Sequence, residues 1–172
     1  MKKNKKAQFY FIAVIVLVAV FIGLVTIRNQ SSLPHQISLN SEKEELNLEI
    51  SSLLDYLSHE KISPAKPIFI NFSNSSIQKI GKNKDTFFIF GKFPDLTLFG
   101  NKLNETSLSI NYGSKDVEVT NNGTFQNDYT LVGNNVNLTL DGINYNFIFH
   151  DGENLYYLIK YIYNNQTFIM GG

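Results

Sequence analysis

Nineteen consecutive uncharged residues, Phe9 to Ile27, follow a tail carrying Lys2, Lys3, Lys5 and Lys6. As a helix this run is about 29 Å long, the thickness of a bilayer's hydrocarbon core, roughly 30 Å. It has no polar face, so only lipid or the centre of a much larger protein suits it. A secretory signal's apolar region is shorter and ends in a small-residue cleavage site, whereas Gly23-Leu24-Val25-Thr26-Ile27-Arg28 offers no A-x-A pattern. The expectation is a retained single-pass transmembrane helix.

Lysine and arginine collect on the cytoplasmic side of a spanning helix. Four lysines precede the run and Arg28 alone follows it closely. This predicts a cytoplasmic N-terminus and a C-terminal domain outside the cell membrane. The formal net charge of zero hides the asymmetry: residues 1–28 carry five positive charges and no acid, whereas residues 29–172 carry ten lysines against fifteen acids. A mildly acidic displayed domain speaks against nucleic-acid partners. The expected partner is the lipid bilayer.

The order Lys5-Lys6-Ala7-Gln8, leading directly into Phe9-Tyr10-Phe11-Ile12-Ala13, resembles the class III signal sequence of archaeal type IV pilin-like membrane proteins. The resemblance covers about 25 residues and implies processing between Ala7 and Gln8, with the apolar helix kept on the mature chain. It also implies contact with other membrane-anchored or pilin-like subunits. Polymerising pilins usually carry a glutamate five residues after the cut; here that position is Ile12. Filament assembly is therefore left open.

Without cysteine, neither disulfides nor thiolate metal sites are available. The displayed part must rest on its apolar core, and about 140 residues suffice for one. Asparagine is abundant, at 21 residues. Sequons occur at Asn29, Asn71, Asn74, Asn104, Asn122, Asn137 and Asn165, above the roughly three expected by chance. All but the membrane-proximal Asn29 are candidate N-glycosylation sites, a glycoprotein signature.

Four segments follow from patterning: a basic tail 1–8, the membrane helix 9–27, a linker 28–40 in which Pro34 breaks helical continuity, and an extracytoplasmic domain 41–172. Residues 41–60 read as a short amphipathic helix. Ser41 and Glu44 have capping-box spacing, and Leu46, Ile50, Leu53, Leu54 and Leu57 form an apolar stripe that needs covering. From Pro67 onward the period reads as 2, beginning with Ile68, Ile70 and Phe72. Alternation recurs at Leu108, Ile110 and Tyr112, and at Val117 and Val119. It is clearest at Val136, Leu138 and Leu140, then Asp141-Gly142, then Ile143, Tyr145, Phe147 and Phe149. Asp-Gly between alternating strands predicts a type I′ hairpin. Asn122-Gly123 and Asn164-Asn165 are weaker hairpin signals, Phe87–Phe90 suits a central strand, and Leu155–Tyr163 reads as strand. The fold class is α+β: a transmembrane helix, a short helix and eight or nine mostly antiparallel strands in a sandwich or curved sheet.

No catalytic motif stands out. His35, His59 and His150 are scattered, without the convergence a metal needs. Asp141, Asp151 and Glu153 read as turn acids near one sheet end, without an ordered calcium loop. Gly81-Lys82 lacks both the upstream glycine and the following hydroxyl of a phosphate loop, and Lys79, Lys82 and Lys84 read as a solvated turn between strands. Tyr156, Tyr157, Tyr161 and Tyr163 suit core packing better than a sugar-binding face. No catalytic, cofactor-binding or metal-ligating residue is assigned, and no cofactor is expected. The function expected is a non-enzymatic, membrane-anchored, pilin-like surface protein with a structural or interaction role. A β-domain module binding glycan or protein is the alternative, and an extracytoplasmic hydrolase comes last.

Overall fold

The strand Asp85–Lys92 (β1) carries large apolar side chains on both faces, so both must be covered. In the computed structural model they are. The structure describes residues 34–172 other than 114, 164 and 165, with side chains from residue 41 onward except that of Tyr163. Among the described residues, two helices, Pro34–Glu60 (α1) and Lys66–Ile80 (α2), precede β1. Eight strands follow: Asp95–Lys102 (β2), Leu108–Asn111 (β3), Asp116–Glu118 (β4), Gly123–Thr130 (β5), Asn135–Leu140 (β6), Ile143–Ile148 (β7), Glu153–Tyr163 (β8) and Gln166–Gly171 (β9). Glu45–Gly172 is a compact unit of its own.

The strands form a five-stranded sheet, ordered β5-β2-β1-β8-β9, and a four-stranded sheet, ordered β4-β3-β6-β7. Every strand pairing is antiparallel. Strand alternation divides the apolar residues between two cores. Phe87 and Ile89 of β1, Leu96 and Leu98 of β2 and Leu158 of β8 share a core with Leu108, Ile110, Val136, Leu138, Leu140 and Phe147 of the smaller sheet. The opposite parity, Phe88, Phe90, Phe99, Leu155, Tyr157 and Ile159, packs against Leu46, Ile50 and Leu57 of α1 and Phe69 and Ile77 of α2. The five-stranded sheet is thus a middle layer between helices and the smaller sheet. Phe87–Phe90 does form the central strand, and the apolar stripe of α1 is covered by the sheet. The buried Tyr157 hydroxyl reaches that helix, donating to Asn47 Oδ1 at 2.9 Å.

Several expectations change. The helix expected from Ser41 begins at Pro34, so Ser41 lies inside it and is no N-cap, and residues 34–40 are helix instead of linker. Residues 68–72 are helix, not strand. Pro67 stands in the first turn, and the inward positions are Phe69, Ser73, Ser76 and Ile77, a spacing of three and four. Ser73 and Ser76 hid this stripe, because both are small polar residues on the buried face.

The Asp141-Gly142 hairpin forms as expected, with φ of 50° and 80° and Leu140 paired to Ile143. β8 and β9 also form a hairpin, closing at Tyr163 and Gln166. Asn122-Gly123 does not close one: β4 before it belongs to the smaller sheet and β5 after it to the larger, so the chain changes layers there. Among the described residues no helix is long and apolar enough to cross a membrane; the run 9–27 lies outside them.

Candidate functional site

At one end of the middle sheet, polar groups gather where the apolar layers stop. β1 opens with Asp85, β8 carries Lys160 opposite it in register, and the segment after β2 supplies Thr106. All three side chains are buried, at 2%, 5% and 4% exposure. Isolated charges in such a place would be strongly disfavoured, so they must be paired. Lys160 Nζ lies 2.5 Å from Asp141 Oδ2 and 3.6 Å from Asp85 Oδ2. It donates to Thr106 Oγ1 at 2.9 Å, and Thr106 donates in turn to Asp85 Oδ2 at 2.5 Å. The Leu103 amide donates to Asp85 Oδ1 at 2.6 Å. The Ser107 amide donates to Asp141 Oδ1 at 2.9 Å.

Partial burial would raise the Asp141 carboxyl, but the Lys160 hydrogen bond and the Ser107 amide outweigh it and hold the group below its ordinary value. Asp85, Thr106 and Lys160 line a cleft of about 530 Å³, together with Lys82, Asn101, Lys102, Asn104 and Tyr161. Lys102 Nζ donates to Asn122 Oδ1 at 3.0 Å, and Asn101 Nδ2 donates to the carbonyls of Lys82 and Lys84 at 3.1 and 3.0 Å. The cleft wall is therefore tied together by its own polar groups.

A second cleft, of about 400 Å³, opens at the other end of the same sheet, between the start of α2 and the β1–β2 turn. Lys66 Nζ contacts Asp128 Oδ1 at 2.7 Å, and Thr97 donates to the same oxygen at 2.7 Å. Slight burial acts to raise the Asp128 carboxyl, yet these two bonds win and lower it. Glu153, which also lines this cleft, is pushed up by burial, with Lys92 opposing. The Lys66–Asp128 pair is half-exposed and contributes little to stability.

The turn acids do not share one sheet end. Asp141 precedes β7 and Asp151 and Glu153 follow it, so the length of that strand separates them, and Asp141 is committed to Lys160. Among the described residues no three His, Cys, Asp or Glu side chains come together to hold a metal. His59 stands in the last turn of α1, and exposed His150 donates its amide to Asn154 Oδ1 at 3.0 Å. The His35 side chain lies outside the described set.

Gly81 caps α2, its amide bonding Ile77 O, so the lysine-bearing segment joins a helix to a strand and not two strands. Lys79 bonds Glu45 and Glu49 across the helices. Tyr157 and Tyr161 are buried; half-buried Tyr156 packs on Phe147 and Phe149 at 5.2 and 5.8 Å and donates to Ile148 O at 2.5 Å. The Tyr163 side chain lies outside the described set.

The sequon asparagines are dispersed. Asn71 and Asn74 are exposed on α2, Asn104 sits in the turn after β2, Asn122 leads into β5, and Asn137 faces outward on β6. Asn165, Ala7 and Gln8 lie outside the described residues. Sequence reasoning missed Asp85, Thr106 and Lys160. The available signal was Lys160 itself, one cation within the apolar strand LYYLIKYIY. No family model, curated protein or solved structure matches this chain.

Proposed function

We propose that the chain is a membrane-anchored, extracytoplasmic pilin-like protein with a structural or interaction role. The observation that carries the reading is the apolar run 9–27 behind four lysines. Support comes from the unit Glu45–Gly172, which has its own two-sided core and uses no disulfide to hold it. Such a unit suits display beyond an anchor: its helices cover one face of the sheet and the smaller sheet covers the other. The buried charges are engaged with each other, which suits a structural part better than an active site poised for an external substrate.

The test is extraction of native membranes with alkaline carbonate, followed by N-terminal sequencing of the retained chain. Retention in the membrane pellet with a mature start at Gln8 supports the anchored, processed reading. Release into the supernatant overturns the anchor, and an intact Met1 overturns the processing.

A further inference from the structure

The cluster at Lys160 holds more than an ion pair. Lys160 Nζ is an amine placed 2.5 Å from a carboxylate oxygen of Asp141, in a site where Lys160, Asp85 and Thr106 are almost wholly shielded from water. The other Asp141 oxygen accepts the Ser107 amide at 2.9 Å, a donor placed to hold negative charge developing there. From Nζ a continuous path runs through Thr106 Oγ1 to Asp85 Oδ2, at 2.9 and 2.5 Å. Nucleophile, electrophile, oxyanion donor and proton acceptor are therefore assembled by the fold itself. Holding the reacting groups in contact removes the entropic cost of bringing them together.

We propose that Lys160 and Asp141 condense to an intramolecular amide bond. The ammonium of Lys160 passes one proton directly to Asp141 Oδ2, 2.5 Å away, and the neutral amine attacks Cγ of the resulting carboxylic acid. The tetrahedral oxyanion forms on Oδ1, against the Ser107 amide. A second proton leaves the nitrogen through Thr106 to Asp85 and returns by the same path to Oδ2. The bond from Cγ to Oδ2 then breaks, and Oδ2 leaves as water while the nitrogen keeps its third hydrogen as the amide N–H. The positive and negative charges cancel, Asp85 ends as it began, and no oxidant, cofactor or external reactant is needed. Burial favours this direction because it disfavours the separated ions and not the neutral amide. Asp141 is the more exposed partner, at 34%, which gives the water a way out.

The product joins β8 of the larger sheet to the hairpin between β6 and β7 of the smaller one. It is a covalent tie between two layers in a chain with no cysteine. The inference rests on the cluster alone and does not depend on where the domain resides.

The experiment is mass spectrometry of the purified, denatured full chain. The expected mass is one water below that calculated for the chain from its sequenced N-terminus. Trypsin is expected not to cut after Lys160, and chymotrypsin to release a branched peptide joining the Asp141 and Lys160 segments. A succinimide at Asp141-Gly142 would also lose water, so Lys160→Arg is the control. The arginine keeps the positive charge, and this variant is expected to show the full mass. Asp85→Asn is expected to lose most of the cross-link while keeping the wild-type near-ultraviolet circular dichroism. An uncross-linked, trypsin-cleavable Lys160 in the wild type, or a water loss that persists in Lys160→Arg, overturns the proposal. Full cross-linking in Asp85→Asn overturns the proton path.

Discussion

Replacing Phe69 by alanine separates the helical arrangement of residues 66–80 from the strand that their isoleucines suggest. In the helix Phe69 points inward with no exposed surface and packs on Phe90, ring centroids 5.4 Å apart. As a strand of alternating Ile68, Ile70 and Phe72, the same segment would turn Phe69 to solvent. Burying a phenylalanine side chain removes roughly 150–200 Å² of apolar surface from water, about 4–5 kcal/mol at 25 cal/mol per Å². Measured Phe-to-Ala changes in cores run about 3–5 kcal/mol, which agrees.

The matched control is Ile70→Ala. Ile70 is only partly buried, so its loss should cost about 1–2 kcal/mol. The assay is urea unfolding of the purified chain in detergent, followed by tyrosine fluorescence, since the chain has no tryptophan. The account expects Phe69→Ala to lower the unfolding free energy by about 3–5 kcal/mol with an unchanged slope on urea. A loss below about 1 kcal/mol for Phe69→Ala, with a larger one for Ile70→Ala, would refute the packing of α2 on the sheet.

Two further perturbations follow from the same fold. A Cβ at Gly100 would stand 2.7 Å from both Thr86 O and the Phe87 ring, so Gly100→Ala should cost about 1–3 kcal/mol in the same unfolding assay. Asp128 has a folded carboxyl pKa below its unfolded value, so its contribution is present above the unfolded pKa and fades as pH falls through the folded one. Lys66→Ala should move the Asp128 titration upward in a carboxyl-carbon NMR titration and should lower stability at neutral pH by no more than about 1 kcal/mol, because the pair is exposed.

The β half of the domain is legible in residue order because its signals are local. Asp141-Gly142 specifies the positive φ of its turn, and Val136 to Phe149 alternates around it without interruption. Phe87–Phe90 is apolar at every position, which only a strand covered on both faces tolerates. The helical half is harder, for two physical reasons. Pro34 reads as a breaker in a linker, yet the residues from 34 to 40 are helix. In α2, serines occupy buried positions 73 and 76, so the inward stripe is not apolar throughout, while β-branched isoleucines mimic strand propensity. Asn122-Gly123 has turn chemistry but joins two different sheets, a distinction that depends on distant pairing.

The site was the least legible part. Asp85, Thr106, Asp141 and Lys160 are distributed over 76 positions, and only the antiparallel pairing of β1 with β8 and the hairpin beside them bring the four together. Asp141 was visible as a turn residue, but its pairing with Lys160 was not, because nothing local links a hairpin in one sheet to a strand in the other. The same separation explains the misplacement of Asp141 beside Asp151 and Glu153: residue spacing does not say at which end of a strand a turn falls.

The central claim is that the domain stands outside the cell behind a membrane anchor, and the absence of native cysteine gives it a direct test. A single cysteine is introduced at Val132, which is 71% exposed on the loop between β5 and β6, and in a second variant at Lys3 of the basic tail. Intact cells are treated with a membrane-impermeant maleimide before and after lysis. The account predicts that Val132→Cys is labelled in intact cells and Lys3→Cys only after lysis. Labelling of Lys3→Cys in intact cells, or of Val132→Cys only after lysis, would contradict it.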